Sequence, residues 1–261
     1  MKKILMALTI SLCFLAVMAE TPNKLPLKLR VGTYNVGHFN QGKLGGYQGE
    51  DVKEELQRWK SWIGSQSLDI FLVNEWNLRF DKDSAYNAEA QLLKPIYNNS
   101  YFGKANRWIY NGINTNYVLT NIRQVNWFKD YYAIVGDLKI GKKTITVMST
   151  HIPWQKEGHE MAVEAMIKEM KKYEYLICGG DMNALDTMQL RIQKAGFNIA
   201  NGGFNGWFCS APQNEKKGMT DVHIDNIVTS PNIKIMNVSA PHTGLTEFDH
   251  LPVLADLIIA W

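Results

Sequence analysis

Leu176-Ile-Cys-Gly-Gly-Asp181-Met-Asn183 reads as an apolar β-strand that stops at two small residues and then presents an acid and an amide. Side chains alternate along an extended segment, so Asp181 and Asn183 point the same way. The glycines before them leave room for a ligand to approach the backbone. A carboxylate beside a neutral amide suits a phosphate ester attacked by activated water. The carboxylate takes a proton, and the amide holds a phosphoryl oxygen without repelling it. A strand ending in an ordinary Asp/Asn turn has the same local appearance.

Similar strand ends recur along the chain. Asn35 closes Leu29-Arg-Val31-Gly-Thr33-Tyr-Asn35, and Glu75 closes Asp69-Ile-Phe-Leu-Val73-Asn-Glu75. His151 follows the run from Thr144 to Thr150. Asp225 sits in Asp221-Val-His-Ile224-Asp225-Asn-Ile-Val228, and Asp249-His250 precede the apolar run 251–259. A polar or charged group against a core strand is costly unless it is paired, hydrogen-bonded or metal-bound. The recurrence therefore points to one convergent site. Acids and an amide without a thiolate favour a hard ion, Mg²⁺ or Mn²⁺, over zinc.

The 261-residue chain opens with Met1-Lys-Lys, a short apolar run and small residues at Val17 and Ala19. This pattern predicts a secretory signal peptide over residues 1–19, cleaved before Glu20, and a secreted or periplasmic product. The competing reading, a membrane anchor, needs a longer apolar run. The remaining residues, 20–261, suffice for one well-cored domain. Loss of Lys2 and Lys3 reduces the formal charge from +3 to +1, which weakens the charge argument for non-specific duplex binding and leaves a local basic patch as the alternative. No other segment is apolar enough to span a bilayer, and the chain is expected to be a monomer. Cys178 and Cys209 are the two cysteines outside the leader, and no bridge between them is expected.

Val52, Leu56, Trp59 and Ile63 recur at helical spacing and predict a helix over 51–66. Further helices are expected near 84–93, 157–173 and 186–195. Strands are expected near 100–106, 116–120, 123–128, 131–139, 143–150, 222–229, 233–239 and 252–259. Helices interleaved with strands argue for a layered α/β domain.

Taken in order, Thr-Tyr-Asn35, Val-Asn-Glu75, Ser-Thr-His151, Gly-Asp181-Met-Asn183, Ile-Asp225-Asn and Phe-Asp249-His250 resemble the motifs of the endonuclease/exonuclease/phosphatase superfamily. That superfamily includes deoxyribonuclease I, abasic-site endonucleases, bacterial sphingomyelinases and inositol-polyphosphate 5-phosphatases. The resemblance covers roughly residues 28–259. It implies a four-layered α/β sandwich, two mixed sheets packed face to face with helices outside, and a site at one end. It also implies metal-dependent phosphoester hydrolysis.

By this resemblance Glu75 is the principal metal ligand, with Asn35 and Asp249 near the same ion. Asp181 orients or deprotonates the attacking water, and Asn183 holds the phosphate. His250 stands beside the scissile phosphate with Asp225 behind it, and His151 matches a second histidine of the deoxyribonuclease-like members. Asn74 stands where many members have Gln, Phe248 where Ser is usual, and Asn226 where an aromatic or His is frequent. Asn77 replaces a DNA-contacting Arg, and 111–116 is short where deoxyribonuclease I has a longer strand-gripping region. The last two differences argue against duplex DNA.

Three functions follow as expectations: a nuclease-like phosphodiesterase, the same chemistry on a lipid or small phosphoester, and a catalytically silent binding module. His38 and Trp154 are candidates to line the substrate cleft. His159 is expected to be exposed, and His223 and His242 structural or solvent-facing. Trp207-Phe208 reads as a core plug or a contact tip.

Overall fold

The computed structural model describes residues 26–40, 46–105, 109–215, 218–245 and 249–260. The expected signal peptide 1–19, its Glu20 junction and Phe248 lie outside these residues.

β1 (Leu27–Asn35) leads through a short 3₁₀ turn to α1 (Val52–Ser65) and β2 (Ile70–Trp76). β3 (Asn99–Phe102) and β4 (Tyr110–Thr115) follow. Then come β5 (Leu119–Phe128), β6 (Tyr131–Ile140), β7 (Lys143–His151), α2 (Lys156–Met170), β8 (Leu176–Asp181) and α3 (Asp186–Lys194). The chain closes with β9 (Asn198–Ile199), β10 (Ala211–Glu215), β11 (Gly218–Val222), β12 (Asp225–Thr229), β13 (Ile233–Ser239) and β14 (Val253–Ile259). One six-stranded sheet runs β13-β14-β1-β2-β4-β3 and the other β5-β6-β7-β8-β12-β9, with β10-β11 as a separate hairpin.

The two sheets meet face to face over Val31, Leu72 and Ile113 from one side and Val147, Ile177 and Ile227 from the other. α1 covers the outer face of the first sheet with Trp59, Trp62 and Ile63, packed on Phe71 and Val73. α2 covers the second with Val163, Met166 and Met170 against Met148 and Cys178. This is the four-layered sandwich. Both helices were readable because their apolar residues recur on one face. No described helix is long and apolar enough to cross a membrane.

Strand direction places the site. β1 and β2 are parallel, with Asn35 level with Asn74, and β7 and β8 are parallel, with His151 level with Asp181. β12 is antiparallel to β8 and begins opposite Asp181 at Asp225. Parallel strands finish at the same edge of a sheet, so four strand ends and one strand start converge there.

Several expectations shift. The segment 84–93 forms only a π-helical turn at Glu89–Leu93. The Asp81 carboxylate accepts from the backbone N–H groups of Ala85 and Tyr86, and this side-chain capping competes with a helix. The strand expected at 116–120 begins only at Leu119, as part of β5, and an unexpected strand, Tyr110–Thr115, lies inside the sheet between β2 and β3. Its Asn111 and Asn114 are buried and donate to the carbonyls of Tyr132 and Phe71. The segment is thus core, not a strand-gripping surface. β5 runs unbroken from 119 to 128, and the run 222–229 is split at His223-Ile224.

Candidate active site

At the converging edge the two sheets are stitched by side chains. Asn74 Nδ2 donates to the Thr150 carbonyl (2.8 Å) and to Asn111 Oδ1 (3.1 Å), while Asn74 Oδ1 accepts from the Asp181 N–H (2.9 Å). Ser149 Oγ donates to the Val73 carbonyl (3.1 Å). Gly180 leaves room for this clamp: a Cβ there would stand 1.8 Å from the carbonyl oxygen of Thr150, its neighbour on β7, and 3.0 Å from Asn74 Oδ1, and backbone does not yield. The sequence showed Asn74 only as a conservative replacement. Its role as a clamp needs the second sheet to be seen.

Asp181 is the hub of the site. Its Oδ2 accepts from Asn35 Nδ2 (3.0 Å) and lies 3.5 Å from His151 Nε2 and 3.7 Å from His250 Nε2. Its Oδ1 accepts from the Asn183 N–H (2.8 Å). Asn183 adopts φ 43°, a left-handed conformation that Asn tolerates, and its amide donates to the Ile152 carbonyl (2.9 Å) and approaches His151 Nε2 (3.3 Å). Behind the hub, His250 Nδ1 meets Asp225 Oδ2 at 2.8 Å. Asp225 is wholly buried, and its N–H donates to Ser210 Oγ (2.9 Å).

Glu75 enters from the first sheet. A register shift in β2 between Val73 and Trp76, with Glu75 at φ 50°, sends its carboxylate toward the cleft. Positive φ at a non-glycine residue costs on the order of 1–3 kcal/mol and clusters at functional sites. Glu75 Oε1 is 3.9 Å from His151 Nε2, and Oε2 is 4.0 Å from His38 Nε2. Asp249 is exposed at the rim of the same cavity, of about 280 Å³, which Glu75, His151, Asp181, Asn183 and His250 also line.

Burial pushes the Asp225 carboxyl up, and the nearby Asp181 carboxylate adds to this, while His250 opposes it. Burial alone disfavours a charged His250, yet the carboxylates of Asp225 and Asp181 outweigh it and raise its pKa well above the ordinary histidine value. The imidazole is thus flanked by two carboxylates, Asp225 at Nδ1 and Asp181 3.7 Å from Nε2.

The donor set fits a hard divalent ion. Glu75, Asp181 and Asp249 offer carboxylate oxygens to one cavity, with the Asn35 amide in contact with Asp181. Asp181, Asp225 and His250 also form a compact group with ligand atoms within 4.8 Å of one another. There, however, Asp225 Oδ2 and His250 Nδ1 already satisfy each other, which suits a held proton better than a metal cage.

All eight expected site residues thus meet at one edge, Asp249 at its rim. Trp154 and His38 also line the cleft. His159 departs from expectation: it is half-buried, with Nε2 3.3 Å from the Met182 carbonyl. His223 lies 3.6 Å from Asp186, and His242 Nδ1 accepts from the Gly244 N–H. Asn77 is buried and caps a turn by accepting from the Arg79 N–H, so it does not face a groove of DNA. Trp207 is half-buried against Gly202 and His223. Cys178 and Cys209 are not joined by a disulfide.

Sequence reasoning missed Tyr131, whose ring stands edge-on to His151 with centroids 5.3 Å apart, and Phe128 beside it. The available signal was the run Trp127-Phe128-Lys129-Asp130-Tyr131-Tyr132, aromatics flanking a tight turn.

No family model and no curated protein matches the sequence. Solved structures do resemble it. An endonuclease/exonuclease/phosphatase from Bacteroides vulgatus superposes with a TM-score of 0.67 at 16% identity, covering 90% of this chain and 100% of that one. TDP2 from D. rerio, complexed with a single-strand DNA product, gives 0.67 at 12% identity, covering 88% and 98%. ANGEL2, described as a 2′,3′-cyclic phosphatase in complex with adenosine-2′,3′-vanadate, gives 0.67 at 12%, covering 90% and 96%. The protein has the fold of the endonuclease/exonuclease/phosphatase superfamily.

Proposed function

We propose that the protein is a phosphohydrolase of this superfamily that cleaves phosphodiesters by metal-assisted attack of water. The observation that carries the reading is the Asp181 hub, with the Asp225–His250 pair behind it and Glu75 facing it across the cavity. The two named relatives of this fold, TDP2 with its DNA product and ANGEL2 with an adenosine vanadate, support phosphoester chemistry. The complete set of polar strand ends argues against a silent binding module.

Glu75, Asn35 and Asp249 would hold Mg²⁺ or Mn²⁺, and such an ion supplies Lewis-acid polarisation of a phosphoryl oxygen. Asp181 accepts the proton of the attacking water as the water oxygen bonds to phosphorus, and the opposite P–O ester bond breaks, the leaving alkoxide taking a proton from solvent. His250, kept protonated by Asp225, donates to a phosphoryl oxygen, and His151 and the Asn183 amide hold the others. No lysine or arginine among the described residues lines the 280 Å³ cavity, so these groups and the ion carry the charge neutralisation.

The test is turnover of the purified protein with Mg²⁺ or Mn²⁺ against DNA, RNA, sphingomyelin and inositol phosphates. Hydrolysis of at least one, abolished by chelator, is expected. No turnover, or turnover indifferent to chelator, overturns the reading. We also propose export, on the pattern of residues 1–19; mass analysis of the extracytoplasmic protein should find the chain beginning near Glu20.

A further inference from the structure

Glu75 faces an imidazole on each side. Its Oε1 lies 3.9 Å from His151 Nε2, and its Oε2 lies 4.0 Å from His38 Nε2. Neither distance is a hydrogen bond. Both fall within what two ligands of one ion can span, since bonds of roughly 2.0–2.2 Å place them about 4.2 Å apart at most. The geometry points to His38 as a nitrogen ligand of the ion at Glu75, and so to a first-row transition ion such as Mn²⁺ in preference to Mg²⁺. The inference rests on the phosphoester reading above for an ion at Glu75, and it adds a ligand and an ion class.

The backbone around His38 is built to deliver that ring. Gly37, His38 and Phe39 take φ values of 52°, 44° and 54°, three left-handed residues in a row. Glycine adopts this region freely, whereas His and Phe pay for it in steric strain. Phe39 anchors the turn. It is fully buried, with its ring centroid 5.1 Å from that of Trp59, 4.9 Å from Trp76 and 5.3 Å from Phe80. The Phe39 N–H donates to the Val36 carbonyl (3.1 Å) and the Gly37 N–H to Asn35 Oδ1 (3.0 Å). Asn35 Nδ2 donates to Asp181, so one amide ties the turn to the hub. Glu75, across from His38, is itself at φ 50°. Two strained residues thus face each other, and such strain clusters at functional sites.

The two histidines are not equivalent. His151 is buried, and its Nε2 is also approached by Asn183 Nδ2 (3.3 Å) and Asp181 Oδ2 (3.5 Å), which places it on the phosphate-holding side. The His38 side chain is 26% exposed and lines, with Glu75, a chamber of about 560 Å³ beside the hydrolytic cavity. An ion reaches that side of Glu75 from solvent. The oxygen donors Glu75, Asn35 and Asp249 suit either ion, and an imidazole tips the choice, because Mg²⁺ takes oxygen and water whereas transition ions accept nitrogen. A His38 serving only as a cationic partner of Glu75 makes the opposite forecast. It would compete with the metal for the carboxylate, and its removal would tighten metal binding.

The experiment measures Mn²⁺ and Mg²⁺ binding to the purified protein by isothermal titration. Electron spin-echo spectroscopy of the Mn²⁺-loaded protein then detects any nitrogen bonded to the ion. Wild type should bind Mn²⁺ more tightly than Mg²⁺ and show an imidazole nitrogen. His38→Asn, which tolerates the left-handed turn, should lose that nitrogen. Its Mn²⁺ affinity should fall by at least about tenfold, the cost of losing even a residue that only orients a ligand, and its Mg²⁺ affinity much less. His38→Gly is equally compatible with the turn and should repeat both losses, with circular dichroism checking the fold of each variant.

Unchanged or tighter Mn²⁺ binding in either folded variant overturns the inference, as does a nitrogen signal that survives in them, which would belong to His151. The phosphoester reading stands in both cases if Glu75→Gln still weakens binding. Wild type that binds Mg²⁺ as tightly as Mn²⁺, or that shows no nitrogen at Mn²⁺, overturns the inference as well. Wild type that binds neither ion removes the inference and the metal-assisted reading together.

Discussion

At one end of the cleft Asp181, Asp225 and His250 are shielded from solvent, with His250 bonded to Asp225 and Asp181 bonded to Asn35 of the other sheet. At the other end Trp154 stands open to water, and Lys129 and Asp130 sit at the turn between β5 and β6. The buried half derives its geometry from strand register and cross-sheet hydrogen bonds. The exposed half derives its shape from ring packing on two segments, the β5–β6 turn and the stretch after β7. Buried polar groups are tolerated only when satisfied, so the first half has little freedom to vary. The second has few such constraints and is free to set what binds. The two halves are thus held by different physics a few residues apart.

The comparison breaks most visibly in the buried half. Asp225→Asn and His250→Ala should each lower turnover by roughly 10³–10⁴-fold, with the double variant little worse, because members of one catalytic unit are non-additive. A double-mutant cycle with independent losses would show that the two do not act together. Glu75→Gln should cost a similar factor with the fold retained, since its carboxylate faces the cleft rather than the core; isothermal metal titration should show weakened Mg²⁺ binding. Unchanged metal affinity would remove Glu75 from the ligand set.

A subtler test follows the proton. Asp225 and Asp181 raise the His250 pKa against the effect of burial. Removing the Asp225 charge leaves burial in place, so in Asp225→Asn the His250 titration, followed by NMR, should move to lower pH. Any residual activity that needs imidazolium should lose its alkaline side at lower pH than in the wild type. An unmoved or upward-shifted titration would contradict the pairing.

Asn74→Ala reaches the buried half from behind. It strands the Asp181 N–H and the Thr150 carbonyl, and each such loss costs about 1–3 kcal/mol. Urea unfolding should show a lower midpoint with an unchanged slope. Turnover should fall by about 10–100-fold, as for partners that orient a ligand. At the small end, Trp154→Ala should alter stability by less than about 0.5 kcal/mol, because the ring is exposed. A large drop in its melting midpoint would mean that Trp154 is structural, and the contrast between the two halves would lose its sharpest case.

The legible part of the site was the part written as strand ends. Asn35, Glu75, His151, Asp181 and Asp225 each follow or open an apolar run, so a costly placement was visible in one dimension. Residues that act across the sandwich were not. Asn74 and Asn111 carry no sign of their role along the chain, and only the second sheet reveals what they bond. The helix expected at 84–93 failed for a related reason, since Asp81 captures the backbone donors that a helix would use.

By itself the sequence determined the alternation of helices and strands and the polar groups at the strand ends. Periodic apolar residues specify α1, α2 and the central strands, and the polar groups at their ends are oxygen- and nitrogen-bearing side chains without a thiolate. Tertiary structure alone decided which of those groups touch, because β7 and β8 end level with one another and β12 starts opposite Asp181. It also decided that Phe128, Tyr131 and Trp154, spread over two segments, would wall one chamber. Hydrophobic periodicity is a local signal carried by neighbours along the chain. The meeting of a hairpin turn with the end of another strand depends on register and sheet order, which no single segment encodes.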